Sequence, residues 1–163
     1  PYINDTIEFN LSNPFKNIWE RLLCLDDLNQ DMIRAVGLTF EGPMFHRSLI
    51  EKIGFPEKKF FIYGDDSEYM IRANNAGFEP YINTNAKLDR MLDTPDLNKE
   101  FSWKNYYIIR NIIAIDVLHG NLAVRWLRPI AYLISWLGKA NNKSDRQTVI
   151  KAFKDGYFYK SEN

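Results

Sequence analysis

The chain has 163 residues, and its 21 Lys and Arg are balanced by 21 Asp and Glu, for a formal net charge of zero. That balance argues against a general nucleic-acid binder, which carries a clear basic excess. The 45% hydrophobic content suits a chain with a packed core, and the single cysteine, Cys24, excludes an intrachain disulfide framework.

No Cys/His spacing resembles a zinc site. Aromatic residues make up 15% of the chain, enough to fill a core and still leave rings for a sugar platform or a membrane interface. The neutral total hides a division. Residues 1–120 carry 13 Lys and Arg against 18 Asp and Glu, a net −5, and residues 121–163 carry 8 against 3, a net +5. The change falls near His119-Gly120-Asn121, a plausible helix stop. The reading is therefore of two regions, 1–120 and a basic helical tail over 121–163.

Pro1 is not an initiator, and the polar, acidic stretch to Asn13 has no signal-peptide pattern, so a fragment or a processed chain is expected. In chain order, Asn13-Pro14 predicts entry into a helix over Phe15 to Cys24, with Phe15, Ile18, Trp19 and Leu22 on one stripe. Cys24 on that face reads as a small buried hydrophobe. Leu25 to Asp31 reads as a loop. Ala35 to Phe40 and Gly42 to His46 read as extended segments. Ser48 to Ile53 predicts a short helix closed by Gly54 and by Phe55-Pro56. The aromatic run Phe60 to Tyr63 leads into Gly64-Asp65-Asp66, then a helix over Ser67 to Ala76 stopped by Gly77, and a strand over Glu79 to Thr84. A polar loop through Asn98 precedes a long helix from Ser102 to about Leu118. Leu122 to Leu137 is a second helical stretch, expected to bend or break at Pro129, and Asp145 opens a last amphipathic helix to about Tyr157. The apolar run from Ile130 to Gly138 falls far short of the ~20 residues a bilayer span needs.

Asp65 and Asp66 stand at the mouth of a helix, where unpaired N–H groups favour negative charge by about 0.3–1 kcal/mol. Two readings stay open: helix capping, or a positioned general base that takes a proton from an acceptor hydroxyl. His46 reads as a packing or capping residue, and His119 as a cation favoured at a helix C-terminus.

Four motifs in order point further. They are Gly42-Pro43-Met44-Phe45 with Arg47 to Phe55; Phe60 to Asp66; Arg72 followed by Asn75-Ala76-Gly77-Phe78; and Tyr106-Tyr107-Ile108-Ile109-Arg110-Asn111. Together they resemble family 2 glycosyltransferases, the inverting GT-A enzymes that include bacterial rhamnosyl- and galactofuranosyltransferases. The likeness covers roughly Gly37 to Asn111, with a looser echo over Lys151 to Gly156. It implies an α/β chain: the C-terminal, acceptor-side half of a GT-A fold followed by a helical tail. It implies sugar transfer from a nucleotide-sugar donor to a glycan or lipid-linked glycan in cell-surface polysaccharide synthesis. Asp66 would be the catalytic base, with Asp65 and Tyr63 on the acceptor.

Arg110 would meet a pyrophosphate or pin its helix to a loop, and Arg72 would serve that role of anchoring through a salt bridge. The family's divalent metal, Mg²⁺ or Mn²⁺, is expected in the full-length enzyme. Where the family commonly has a metal-binding His this chain has Asp89, a candidate ligand or a surface loop residue. The chain has no Asp-x-Asp and no Gly-rich phosphate loop, so the donor half is expected to lie outside it and the fragment to be inactive alone. An exposed sheet edge would then make self-association a liability. The basic tail, with Arg125, Trp126 and Arg128 beside an apolar helix, reads either as core-facing or as interfacial. The interfacial reading would place the protein in the cytoplasm at the inner face of a membrane. The competing reading is a non-catalytic helical interaction or membrane-docking module in which Asp65 and Asp66 only cap a helix.

Overall fold

The computed structural model describes residues 11, 14–15, 30–34, 38–89 and 101–162. The helix expected over Phe15 to Cys24 lies outside these residues apart from its first, and so does Cys24. The described residues are mostly helical, with one small sheet: β1 (Met32–Arg34), α1 (Arg47–Ile53), α2 (Asp65–Asn75), β2 (Tyr81–Asn83), α3 (Lys104–His119), α4 (Leu122–Lys139) and α5 (Lys143–Tyr157). Helix predominates, and one antiparallel pair of short strands among the described residues agrees only loosely with the α/β reading. The sheet among the described residues is an antiparallel pair of three-residue strands.

The chain divides into two compact units that interleave along the sequence. The first takes residues 1–10, 17–56 and 66–95, and the second 11–16, 57–65 and 96–163. The change of charge near residue 120 coincides with the turn between α3 and α4, inside the second unit.

In the first unit β1 and β2 pair with Ile33 opposite Ile82. Thr84 extends the pairing, its N–H donating to Asp31 O at 3.1 Å and its hydroxyl to Gln30 O at 2.7 Å. The extended segment expected over Gly42 to His46 is instead loop. Pro43 has no N–H for a ladder, and His46 is committed to α1 as its N-cap, with Nδ1 accepting from Ser48 N–H. Strand β1 lies on Met32 to Arg34, where Tyr81 to Asn83 supply its hydrogen bonds. It falls just ahead of the extended segment expected over Ala35 to Phe40, whose first three residues lie outside the described ones.

Helices α1 and α2 enclose a small core. Leu49, Tyr69 and Ala73 are buried in it, with Phe40, Phe45, Ile53 and Phe78 packed around them. Phe40, Phe45 and Tyr69 meet edge to face with centroids 5.6–5.9 Å apart, the arrangement the ring quadrupole favours. Phe78 joins them because α2 closes with its N–H on Ala73 O at 3.0 Å, the six-to-one bond of a Schellman turn.

In the second unit α3 packs on α5 and α4 around Ile109, Ile113, Ala140, Val149 and Ala152. The crossing of α3 and α5 depends on Gly156, where a Cβ would stand 2.5 Å from Arg110 O and 3.0 Å from the Ile113 Cβ. Local caps set the helix starts. Asn121 Oδ1 accepts from Val124 N–H at 2.9 Å, and Asn142 Oδ1 accepts from Asp145 N–H at 2.9 Å. Arg125 closes the far end of α3, donating to Gly120 O and Leu118 O. Helix α4 runs through Pro129 without a break. Pro129 is buried, and the packing of α4 on α3 and α5 offsets the missing N–H that would end an isolated helix.

Candidate functional site

The tandem carboxylates do not stand ahead of α2 but form its first two residues. Asp66 is half-buried, and its Oδ1 accepts from the Ser67 N–H at 2.6 Å and from the Ser67 hydroxyl at 3.2 Å. Ser67 is itself buried, so the carboxylate is held at a helix N-terminus. The next turns of α2 brace α1. Arg72 Nε reaches both oxygens of buried Glu68, at 2.8 and 3.0 Å, and its remaining nitrogens donate to Ile53 O and Phe55 O. Tyr69 donates to Gly54 O at 3.1 Å. Arg72 therefore takes the anchoring role, tying the Gly54 turn to the helix that begins with the carboxylates.

Asp89 lies in the exposed loop after β2. Among the described residues no group of three or more His, Cys, Asp or Glu could hold a metal ion. The described residues therefore do not fit a divalent metal at Asp89.

In the second unit the segment 57–65 is held from two sides. Burial pushes the Glu57 carboxyl up, but hydrogen bonds from the Ser161 hydroxyl and the Glu162 and Lys59 N–H groups outweigh it and leave the group below its ordinary range. Lys59 pairs with Glu162 at 2.8 Å, and Phe60 meets Tyr159 edge to face. From the other side comes α3. Asn111, fully buried, donates to Ile62 O at 2.9 Å and Tyr63 O at 2.6 Å. Arg110 Nε donates to Asn111 Oδ1 at 2.8 Å and Nη2 to Lys59 O. Its guanidinium lies over Tyr106, Tyr107 and Tyr159, 5.2–5.9 Å from the ring centroids. The Tyr-Tyr-x-x-Arg-Asn run is thus a clamp on the loop that leads to Asp65, and Arg110 spends much of its donor capacity there.

The clamp holds an uncommon backbone. Tyr63 sits at φ 71° and Gly64 at φ 86°. Only glycine adopts that region without strain, so Tyr63 is held in a costly conformation. Gly64 is needed twice over, because a Cβ there would come within 3.2 Å of the Ile115 side chain.

Next to this turn lies a polar group that the sequence reading missed. Asp116 on α3 and Arg128 on α4 are buried and 3.2 Å apart, Nη1 to Oδ1. Among the described residues Asp116 Oδ2 has no hydrogen-bond partner. Burial pushes the Asp116 carboxyl up to about 7, against the pull of Arg128. Burial likewise raises Tyr132 to about 12, and the charges of Asp116 and Tyr63 add to the rise. The signal was present in Ile112-Ile113-Ala114-Ile115-Asp116-Val117-Leu118, where one carboxylate interrupts an apolar run. Its partner, twelve residues on, could be found only from the fold.

No protein-family model matches this chain, and no curated protein or solved structure matches it either. The functional reading therefore rests on its own residues. Tyr63, Asp65 and Arg110 belong to the second unit, and Asp66 and Asp89 to the first. The chain itself makes Asp65 and Asp66 neighbours, and α3 brings Arg110 and Asn111 to the segment carrying Tyr63.

Replacing Asn111 by alanine is expected to cost about 2–3 kcal/mol, since two carbonyls of a half-buried turn lose their donor. Urea unfolding measures this. A loss below about 0.5 kcal/mol, the level of an ordinary surface change, would mean that water replaces the clamp.

Proposed function

We propose that the chain is the acceptor side of an inverting GT-A glycosyltransferase of family 2, with Asp66 as general base. The observation that carries this reading is the Asp66 carboxylate, fixed by Ser67 at the start of α2. It stands within a run of four motifs whose order resembles that family. An acceptor hydroxyl, on a glycan or lipid-linked glycan, would lose its proton to Asp66 as its oxygen bonds to the anomeric carbon. The bond from that carbon to the nucleoside diphosphate breaks, and its electron pair leaves with the phosphate. One base suffices, because inversion needs no covalent enzyme intermediate. Tyr63 and Asp65 would meet the acceptor.

Donor binding is assigned to sequence outside this chain, which has neither Asp-x-Asp nor a Gly-rich phosphate loop. The divalent metal is assigned to that donor part, and no step above passes through it. No described helix is long and apolar enough to cross a membrane. The working location is cytoplasmic, at the inner face of a membrane that carries the acceptor.

The test is transfer from a panel of nucleotide-diphosphate sugars to lipid-linked acceptors by the full-length gene product. Turnover of at least one donor, with inverted configuration in the product, is the expected result. Retained configuration would discard the single-base mechanism, and no turnover with any donor would leave Asp65 and Asp66 as helix-capping residues.

A further inference from the structure

Helix α4 has two faces of opposite fate. Val124, Arg128 and Pro129 are buried, while Leu122, Trp126, Ile130 and Ile134 are 75, 61, 48 and 67% exposed. These four recur every four residues, so they share one stripe, about 18 Å long at 1.5 Å per residue. A helix that only closes a core has polar residues on its outer face. Here the outer face is apolar, and α4 contains no Asp or Glu in its 18 residues.

The stripe continues beyond α4. The Trp126 ring meets that of Tyr157 with centroids 6.2 Å apart, and Tyr157 meets Phe158 at 5.4 Å. Phe158 is 75% exposed and lines an open cavity of about 450 Å³ whose cations are Lys154, Lys160, Lys59, which pairs with Glu162, and Arg110, which clamps Lys59 O and Asn111. Asp155 also lines it, but is engaged by Lys151 at 2.5 Å and Tyr106 at 2.6 Å. An exposed apolar strip with a tryptophan thus runs directly into a cationic recess.

We infer that α4 docks flat on an anionic membrane leaflet. Leu122, Trp126, Ile130 and Ile134 enter the interfacial layer, and the recess beside Phe158 faces lipid phosphates. Charge selects this occupant. Residues 121–163 carry a net +5, which an anionic leaflet attracts, whereas a symmetric contact with the same face of a second copy would set like charges against each other. The inference deepens the location within the proposed function, but it rests on α4 and α5 alone and needs no sugar transfer.

Co-sedimentation of the full chain with vesicles tests it, using phosphatidylcholine alone or mixed with phosphatidylglycerol. Binding is expected to be at least about tenfold tighter on the mixed vesicles and to weaken as salt is raised. The double variant Trp126→Ser/Ile130→Ser should lose at least about tenfold in vesicle affinity, because each side chain forfeits apolar burial. Its thermal midpoint should fall little, since both side chains are about half exposed and sit outside the buried core of α4. Equal binding to both vesicle types, or an unweakened double variant, would overturn the inference. So would a concentration-dependent dimer in light scattering that the double variant abolishes, which would assign the face to a second copy. Vesicle binding requires neither donor nor acceptor, so its failure is separate from a failure of sugar transfer.

Discussion

Asp66→Asn in the full-length protein is expected to slow sugar transfer by roughly 10²–10⁴-fold, the usual contribution of a positioned general base. The loss should appear in kcat rather than KM, because an amide of the same shape still occupies the site but takes no proton. The fold should survive the change. The asparagine Oδ1 can accept the same hydrogen bonds from Ser67. What is lost is one negative charge at a helix N-terminus, worth about 0.3–1 kcal/mol. Asp65→Asn makes the same electrostatic change one residue earlier on the same helix. It should cost less than about tenfold in kcat, with the base itself intact. Less than a tenfold loss for Asp66→Asn would remove Asp66 from the base role. Equal losses for the two variants would point to the charge of the helix mouth rather than to proton transfer.

The largest loss of stability is expected at Asp116. Asp116→Ala removes the carboxylate 3.2 Å from the buried Arg128 guanidinium, and arginine cannot shed its charge. A cost of about 3–5 kcal/mol follows for breaking such a pair from one side. Replacing both residues, Asp116→Leu with Arg128→Met, removes both buried charges and should restore most of that loss. If the double variant were no more stable than Asp116→Ala, the pair would not be the cause.

The pH dependence has a definite sign. Burial raises the folded-state carboxyl from 3.8 to about 7, so the folded chain keeps a proton that the unfolded chain releases. The associated stability is fully present below about pH 4 and is lost as pH rises through about 7. The loss follows from the linkage between proton binding and folding. Urea midpoints for the wild type should therefore fall, relative to Asp116→Asn, between about pH 4 and 8. Parallel profiles would show that Asp116 does not titrate in that window.

Much of the helical structure could be read without coordinates, for local reasons. Gly54 and Gly77 stop α1 and α2 where expected, and Asn121 and Asn142 cap α4 and α5 through hydrogen bonds spanning three residues. The helix of Tyr106 to Asn111 was legible as well, but what it does was not. Whether Arg110 faces an anion or a carbonyl depends on Lys59, 51 residues away. Two expectations failed because a distant partner decided them. Among the described residues Gly42 to His46 has no strand partner, while Met32 to Arg34 has one in Tyr81 to Asn83. Pro129 does not break α4, because α3 and α5 hold that helix from its inner face.

The neutral charge, the −5 and +5 regions and the existence of the helices follow from the sequence alone, since composition is additive and caps act within a turn. Helices α2 and α5 nevertheless begin at Asp65 and Lys143, ahead of the expected Ser67 and Asp145. The tandem carboxylates were legible there too, as neighbours at a helix mouth. Only the tertiary structure decided that Tyr63 is held at positive φ by Asn111, that Asp116 and Arg128 share one buried space, and which face of α4 stays uncovered. Each of these depends on desolvation and contact between residues far apart in the chain, and neither is encoded in any local window.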